Sequence, residues 1–148
     1  LLLDMKPRIA EPELQELLGY AVFPEQTALD RATHSYLAEE TNKLLGLIDE
    51  EADMPIGLIG YRVDETNQLQ LLHISVHPEY RGQGYGRLLV LEVLTKENPE
   101  RIIAETDEEA VDFYRNIGFV VASKGELPNG IERFRCVYEV EEEDEDEA

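Results

Sequence analysis

The chain has 148 residues and carries 33 acidic against 13 basic side chains, a net charge of −20 at pH 7. With 43% hydrophobic residues and a single cysteine, it can build one globular core, which excludes wholesale disorder, an internal disulfide and a multi-cysteine metal site. The acidity argues against nucleic acid or an anionic membrane as partner and favours a cationic one by steering, with solubility or salt adaptation as the plain alternative.

No run of about 18 apolar residues occurs, so no membrane-spanning helix is expected. A lone thiol suits a reducing cytoplasm, and Leu1-Leu2-Leu3 is too short for a signal-peptide core. The expected organisation is a single domain over residues 1–140 and an acidic tail over 141–148. The last ten residues hold eight acids and no base, and the other 138 still carry 25 acids against 13 bases. Like-charge repulsion should keep that tail disordered.

Residues 1–6 are strand-compatible. Pro12 suits the first turn of a helix over 13–20, with Leu14, Leu17 and Leu18 on one face. Residues 30–40 are helix-compatible, with Tyr36 and Leu37 as candidate anchors. Strands follow at 43–48, 56–63 and 69–76, separated by an acidic loop at 49–55 and a turn at 64–67. Links this short make an antiparallel meander. A Pro- and Gly-containing loop at 77–86 leads into a helix at 87–96, so apolar that it should be buried nearly all round. Asn98-Pro99 stops it, and a strand begins at 101. Strand, crossover helix and strand imply that 69–76 and 101–105 run parallel. Thr106 and Glu109 have capping-box spacing for the next helix, whose apolar positions are Ala110, Phe113, Tyr114 and Ile117. Gly118 sits where a C-terminal glycine belongs. A hairpin of 119–123 and 131–140 ends the chain around Pro128-Asn129-Gly130, with Phe134, Cys136, Tyr138 and Val140 on one face. The fold class is therefore α/β (α+β), a mixed sheet of about six to seven strands flanked by about four helices.

The segment Arg81-Gly82-Gln83-Gly84-Tyr85-Gly86 joins a strand to a helix. Its glycines permit positive φ and close approach of a ligand, successive amides can form an anion nest, and the helix adds its free N–H groups. With Arg81 and Arg87 beside it, phosphate is the natural ligand; a tight turn without a ligand is the plain alternative. The spacing matches neither a mononucleotide P-loop nor a dinucleotide fingerprint.

The strand His73-Ile74-Ser75-Val76, the following His77-Pro78-Glu79-Tyr80 and the Arg81–Gly86 loop together resemble the acetyl-CoA signature of the GCN5-related N-acetyltransferases. Arg81, Gly84 and Gly86 fill that family's [Q/R]-x-x-G-x-[G/A] pattern. Ala110 to Phe119 resembles the family's A-x-x-[F/L]-Y-x-x-x-G-F helix. The resemblance covers about residues 42–140, and the first 40 by topology alone.

The resemblance implies an acetyl-CoA-dependent transfer of an acetyl group to a primary amine, small or on a peptide, by direct attack in a ternary complex and without a metal. The amides of Arg81, Gly82, Gln83, Gly84, Tyr85 and Gly86 would cradle the pyrophosphate. Ile74 and Val76 would pair with pantetheine, beside a splay of the two parallel strands, and amides near them would hold the thioester oxygen. Tyr114 would protonate the leaving thiolate. Asp107 stands where many members have Asn, which leaves it a helix cap or a pantetheine contact. His73, which should titrate near neutrality, and Glu105 are the candidate bases, and bulk solvent is the third option. The acceptor would lie against parts of 18–41 and 126–133, and a homodimer is compatible with the family. The competing class is a non-catalytic acyl-CoA-binding or interaction module of the same fold. Cys136 is read as structural, His34 and His77 as isolated, and Arg133 and Arg135 as solvated.

Overall fold

The computed structural model describes residues 2–141; most of the expected acidic tail lies outside them. The strands are β1 (Leu3–Asp4), β2 (Lys43–Asp49), β3 (Met54–Val63), β4 (Gln68–Val76), β5 (Arg101–Thr106), β6 (Val120–Glu126) and β7 (Glu132–Glu139). The helices are α1 (Pro12–Tyr20), α2 (Gln26–Ala38), α3 (Tyr85–Glu97) and α4 (Val111–Asn116). The strands form one mixed seven-stranded sheet in the order β1-β2-β3-β4-β5-β7-β6, the class the sequence implied.

The chain forms two units, and β4 contributes to both. The first holds the residues up to Arg62 together with Leu72–Glu97. Here β2 pairs antiparallel with β1 and β3. Pro12 opens α1, where the missing N–H costs nothing, and Leu14, Leu17 and Leu18 are buried as their spacing requires. They pack with Met5, Ile9, Ala32, Tyr36, Leu44 and Leu58. Helix α2 begins four residues before the expected start. Its buried side chains are Ala32 and Tyr36. Leu37 is 64% exposed and is not an anchor, because a position next to Tyr36 is turned about 100° around the helix.

The expectation of an almost wholly buried helix after the glycine loop is also corrected. Helix α3 buries Leu89, Val90 and Val93 while Leu88 and Leu91 are exposed. Its C-terminal end is tied down by Glu97, whose Oε2 accepts from Lys43 Nζ at 3.0 Å and from the Tyr61 hydroxyl.

The second unit holds Val63–Leu71 and the residues from Asn98 onward. Gln68–Leu71 of β4 pair parallel with Arg101–Ala104 of β5, as the strand–helix–strand order predicts. Strand β5 is antiparallel to β7, which forms a hairpin with β6. The β3–β4 turn is locally encoded. Asn67 is left-handed (φ 59°) and donates to the Asp64 carbonyl, while the Asp64 carboxylate accepts from the backbone of Thr66 and Gln68.

Helix α4 ends as the sequence predicts. Gly118 (φ 99°) donates to the Arg115 carbonyl and Phe119 to the Tyr114 carbonyl, with the Phe119 and Tyr114 rings 5.2 Å apart. Those two bonds and that contact are a Schellman motif. Its start differs from expectation. Thr106 is the buried last residue of β5 and not a cap; Asp107 Oδ1 accepts from the Glu109 N–H at 3.0 Å in the turn that follows, and α4 starts at Val111 without a side-chain cap.

Candidate active site

The first unit presents the end of β4, the loop after it and the start of α3. The His77 N–H donates to the Ile56 carbonyl, and its Nδ1 accepts from the Glu79 N–H, which starts a single 3₁₀ turn over Pro78–Tyr80. Gly82 and Gly84 then take φ of 77° and 86°, and a Cβ at either would meet no neighbour. Backbone conformation, and not crowding within the protein, therefore demands glycine there. Gly86 lies in the first turn of α3. The first N–H groups of α3 have no partner within the helix, so their partial positive charge is available beside this exposed loop.

Aromatic side chains brace the loop. The His77 and Tyr80 rings, and the Tyr80 and Tyr85 rings, meet edge to face at 5.9 Å, and the Tyr80 hydroxyl donates to Asp49 Oδ2 at 2.8 Å. That bond, first among its causes, lowers the Asp49 pKa, so the acceptor stays charged. The Arg81 guanidinium lies 5.0 Å from the Tyr20 ring centroid and donates from Nε to the Val76 carbonyl at 2.9 Å. Val76, read from the resemblance as a pantetheine partner, thus has its carbonyl engaged by the loop itself. Gln83 donates to the Glu79 carbonyl at 3.5 Å, and Ile74 is half-buried.

His73 departs from its expected titration. Its Nδ1 lies 2.6 Å from the Tyr36 hydroxyl, and burial lowers its pKa to about 4. The imidazole is therefore neutral throughout the physiological range, with little affinity for a proton. Burial raises the Tyr36 phenol. Ser75 is also buried, and its hydroxyl has no hydrogen-bond partner among the described residues.

The second unit presents Tyr114, Glu105 and Asp107. Tyr114 is buried among Phe113, Phe119 and Cys136. Burial first, and then Cys136, raise its phenol pKa, so it keeps its proton at neutral pH. Glu105 is exposed at the end of β5 and pairs with Lys124 Nζ at 2.8 Å. Asp107 spends one carboxylate oxygen on the Glu109 N–H, in the turn before α4. Cys136 is buried, and burial pushes its thiol up, as a structural role requires.

Tyr36, Tyr20, Tyr80 and Asp49 were missed as supports of the site. Periodicity marked Tyr36 as an anchor, but no local pattern links it to a histidine 37 residues away. Among the described residues, no helix is long and apolar enough to cross a membrane, and no group of three His, Cys, Asp or Glu side chains is placed to hold a metal.

A strand, a glycine loop and a helix, followed by a parallel strand and a helix with a buried tyrosine, define an α/β class with an anion-type loop at the end of a sheet strand. The model of the acetyltransferase (GNAT) domain matches residues 9–139, and the chain belongs to that family. It is 32% identical over 107 residues to the peptidyl-lysine N-acetyltransferase YjaB of Escherichia coli (strain K12). The match covers 69% of this chain and 65% of that relative, so the chain spans just under two thirds of its length. Among solved structures, a putative GNAT-family acetyltransferase from Desulfovibrio desulfuricans superposes with a TM-score of 0.72 at 19% identity, covering 94% of this chain and 98% of that one. A Bacillus subtilis acetyltransferase in complex with CoA gives 0.66 at 19%, covering 89% and 94%. At those identities the likeness is one of fold.

Proposed function

We propose that the protein transfers an acetyl group from acetyl-CoA to a primary amine. The observation that carries this is the Arg81–Gly86 segment. Two left-handed glycines and the free N–H groups of α3 build an anion site in a chain whose net charge is −20. A protein so acidic has no general affinity for phosphate, so this local positive field is specific. Family membership and the start of α3 support assigning the pyrophosphate of coenzyme A to it.

In the proposed reaction, the neutral amine nitrogen attacks the thioester carbonyl carbon, the carbon–sulfur bond breaks, and the amine loses one proton. Tyr114 gives the thiolate its proton, a role supported by its place in the helix that matches the family's tyrosine motif. The amine's proton goes to Glu105 or to solvent, since His73, with a pKa near 4, is a poor base at neutral pH. Holding both substrates supplies much of the acceleration. A lysine side chain on a peptide is the favoured acceptor, supported by the relative's name and by the charge of this chain.

Thermal unfolding with acetyl-CoA, with AMP as control, tests the first half. Ligand at about 100 times its dissociation constant adds about 2.7 kcal/mol, a rise of several degrees. Thiol release with lysine peptides, polyamines and small anionic amines tests the second. Stabilisation without release from any amine would favour a non-catalytic acyl-CoA-binding module; no stabilisation would remove the cofactor assignment.

A further inference from the structure

The buried contact between α2 and β4 is not required by an anion loop or a proton-donating tyrosine. Tyr36 is 1% exposed, and a buried phenol needs an acceptor for its proton. The Tyr36 hydroxyl lies 2.6 Å from His73 Nδ1, which can serve as that acceptor. Gly60 of β3 lies directly under this contact: a Cβ there would overlap the Tyr36 hydroxyl. Three elements therefore converge to place one hydroxyl on one ring nitrogen.

The protonation pattern follows from that geometry. If the phenol donates, Nδ1 carries no hydrogen, and a neutral imidazole must carry its hydrogen on Nε2. Burial lowers the His73 pKa and displaces the Tyr36 phenol upward. Both groups are thus neutral. His73 is half-buried where Tyr36 is sealed, and Nε2 is the ring nitrogen that the Tyr36 contact leaves free to donate. Ser75, two residues along the strand and about 7 Å away, adds a buried hydroxyl without a partner.

We propose that Tyr36 is a positioning residue for acyl transfer: it locks His73 in the Nε2–H form, so that His73 offers substrate a hydrogen bond instead of removing a proton. This rests on the acetyltransferase reading above. The matching group must present a lone pair. A carbonyl oxygen does, whether of the thioester or of a peptide acceptor; an ammonium, which only donates, does not.

Long-range proton–nitrogen NMR of the histidine rings in the substrate-free protein tests the first part, with His73 assigned by its loss in His73→Gln. The expected spectrum has a bare Nδ1 and a protonated Nε2 at pH 7.5, and a mixture of tautomers in Tyr36→Phe. An Nδ1–H form in the wild type would overturn the proposal and leave the enzyme reading standing. Kinetics tests the second part. A glutamine amide can donate from near the Nε2 position but cannot accept a proton. His73→Gln should stay within about threefold of wild type, while His73→Ala and Tyr36→Phe lose about tenfold or more, the size of one well-placed hydrogen bond. His73→Gln as inactive as His73→Ala would overturn the donor role in favour of a base. A raised KM for acetyl-CoA in His73→Ala assigns the bond to the thioester carbonyl, and a raised KM for the acceptor assigns it to the acceptor. A wild type that acetylates no amine overturns the enzyme reading and the transfer role together, while the spectrum still decides the tautomer.

Discussion

Arg81 Nε donates to the carbonyl of Val76 at 2.9 Å, so the loop is fastened to the strand from which it springs. With Tyr20 stacked on the same guanidinium, Arg81 works as a strut as well as a charge. Arg81→Ala should weaken acetyl-CoA binding roughly five- to thirtyfold, about 1–2 kcal/mol, through the lost brace and the lost cation. Arg81→Gln, which keeps a donor, should lose less. Calorimetric titration of both variants checks the order.

Tyr114→Phe should lower kcat by about a hundredfold if the phenol donates a proton in the transition state. The acetyl-CoA dissociation constant should be nearly unchanged, and stability should move by less than about 1 kcal/mol. Steady-state rates beside a binding titration separate the two. Unchanged turnover removes Tyr114 from the chemistry.

Gly60→Ala tests the α2–β4 contact without touching a proposed catalytic group. The new methyl would occupy the space of the Tyr36 hydroxyl and push the phenol off His73. An overpacking cost of about 1–3 kcal/mol is expected, read as a lower urea midpoint. Combining it with Tyr36→Phe should cost less than the two changes added together, because both act on one contact.

His73 makes stability depend on pH in a defined window. Its folded pKa of about 4 lies below the ordinary value of 6.5, so the unfolded chain takes up the proton first. The stability held by the neutral ring is complete above pH 6.5 and is lost as pH falls towards 4. The loss between pH 7.5 and 4.5 is about 2–3 kcal/mol. Carboxylates titrate nearby, so the measurement is a difference: urea unfolding of wild type against His73→Gln at both pH values. The variant should fall less steeply, and parallel slopes would refute the buried neutral ring.

Much of the local structure was legible because its causes are local. Pro12 at the start of α1, Asn67 in the β3–β4 turn and Gly118 after α4 act through their own backbone preferences within a few residues. The parallel pairing of β4 with β5 followed from the crossover between them. The glycine loop showed because positive φ leaves a mark on composition. The failures share another character. Leu37 and Leu91 are as hydrophobic as their buried neighbours, and only the direction of the neighbouring layer decides which faces inward. Thr106 and Asp107 are both capping residues by type, yet β5 runs through Thr106 and α4 starts only at Val111, without a side-chain cap.

By its own pattern, then, the sequence determined where the chain turns, where it stays helical and where an anion can be held, because those rest on dihedral preference and unpaired N–H groups along a short stretch of backbone. The tertiary structure decided the chemistry of His73. Its partner lies 37 residues away, its low pKa comes from burial by surrounding elements, and the space for its partner's hydroxyl exists because a third element, β3, carries a glycine there. Desolvation sums over neighbours that only folding brings together, so no reading along the chain can supply it.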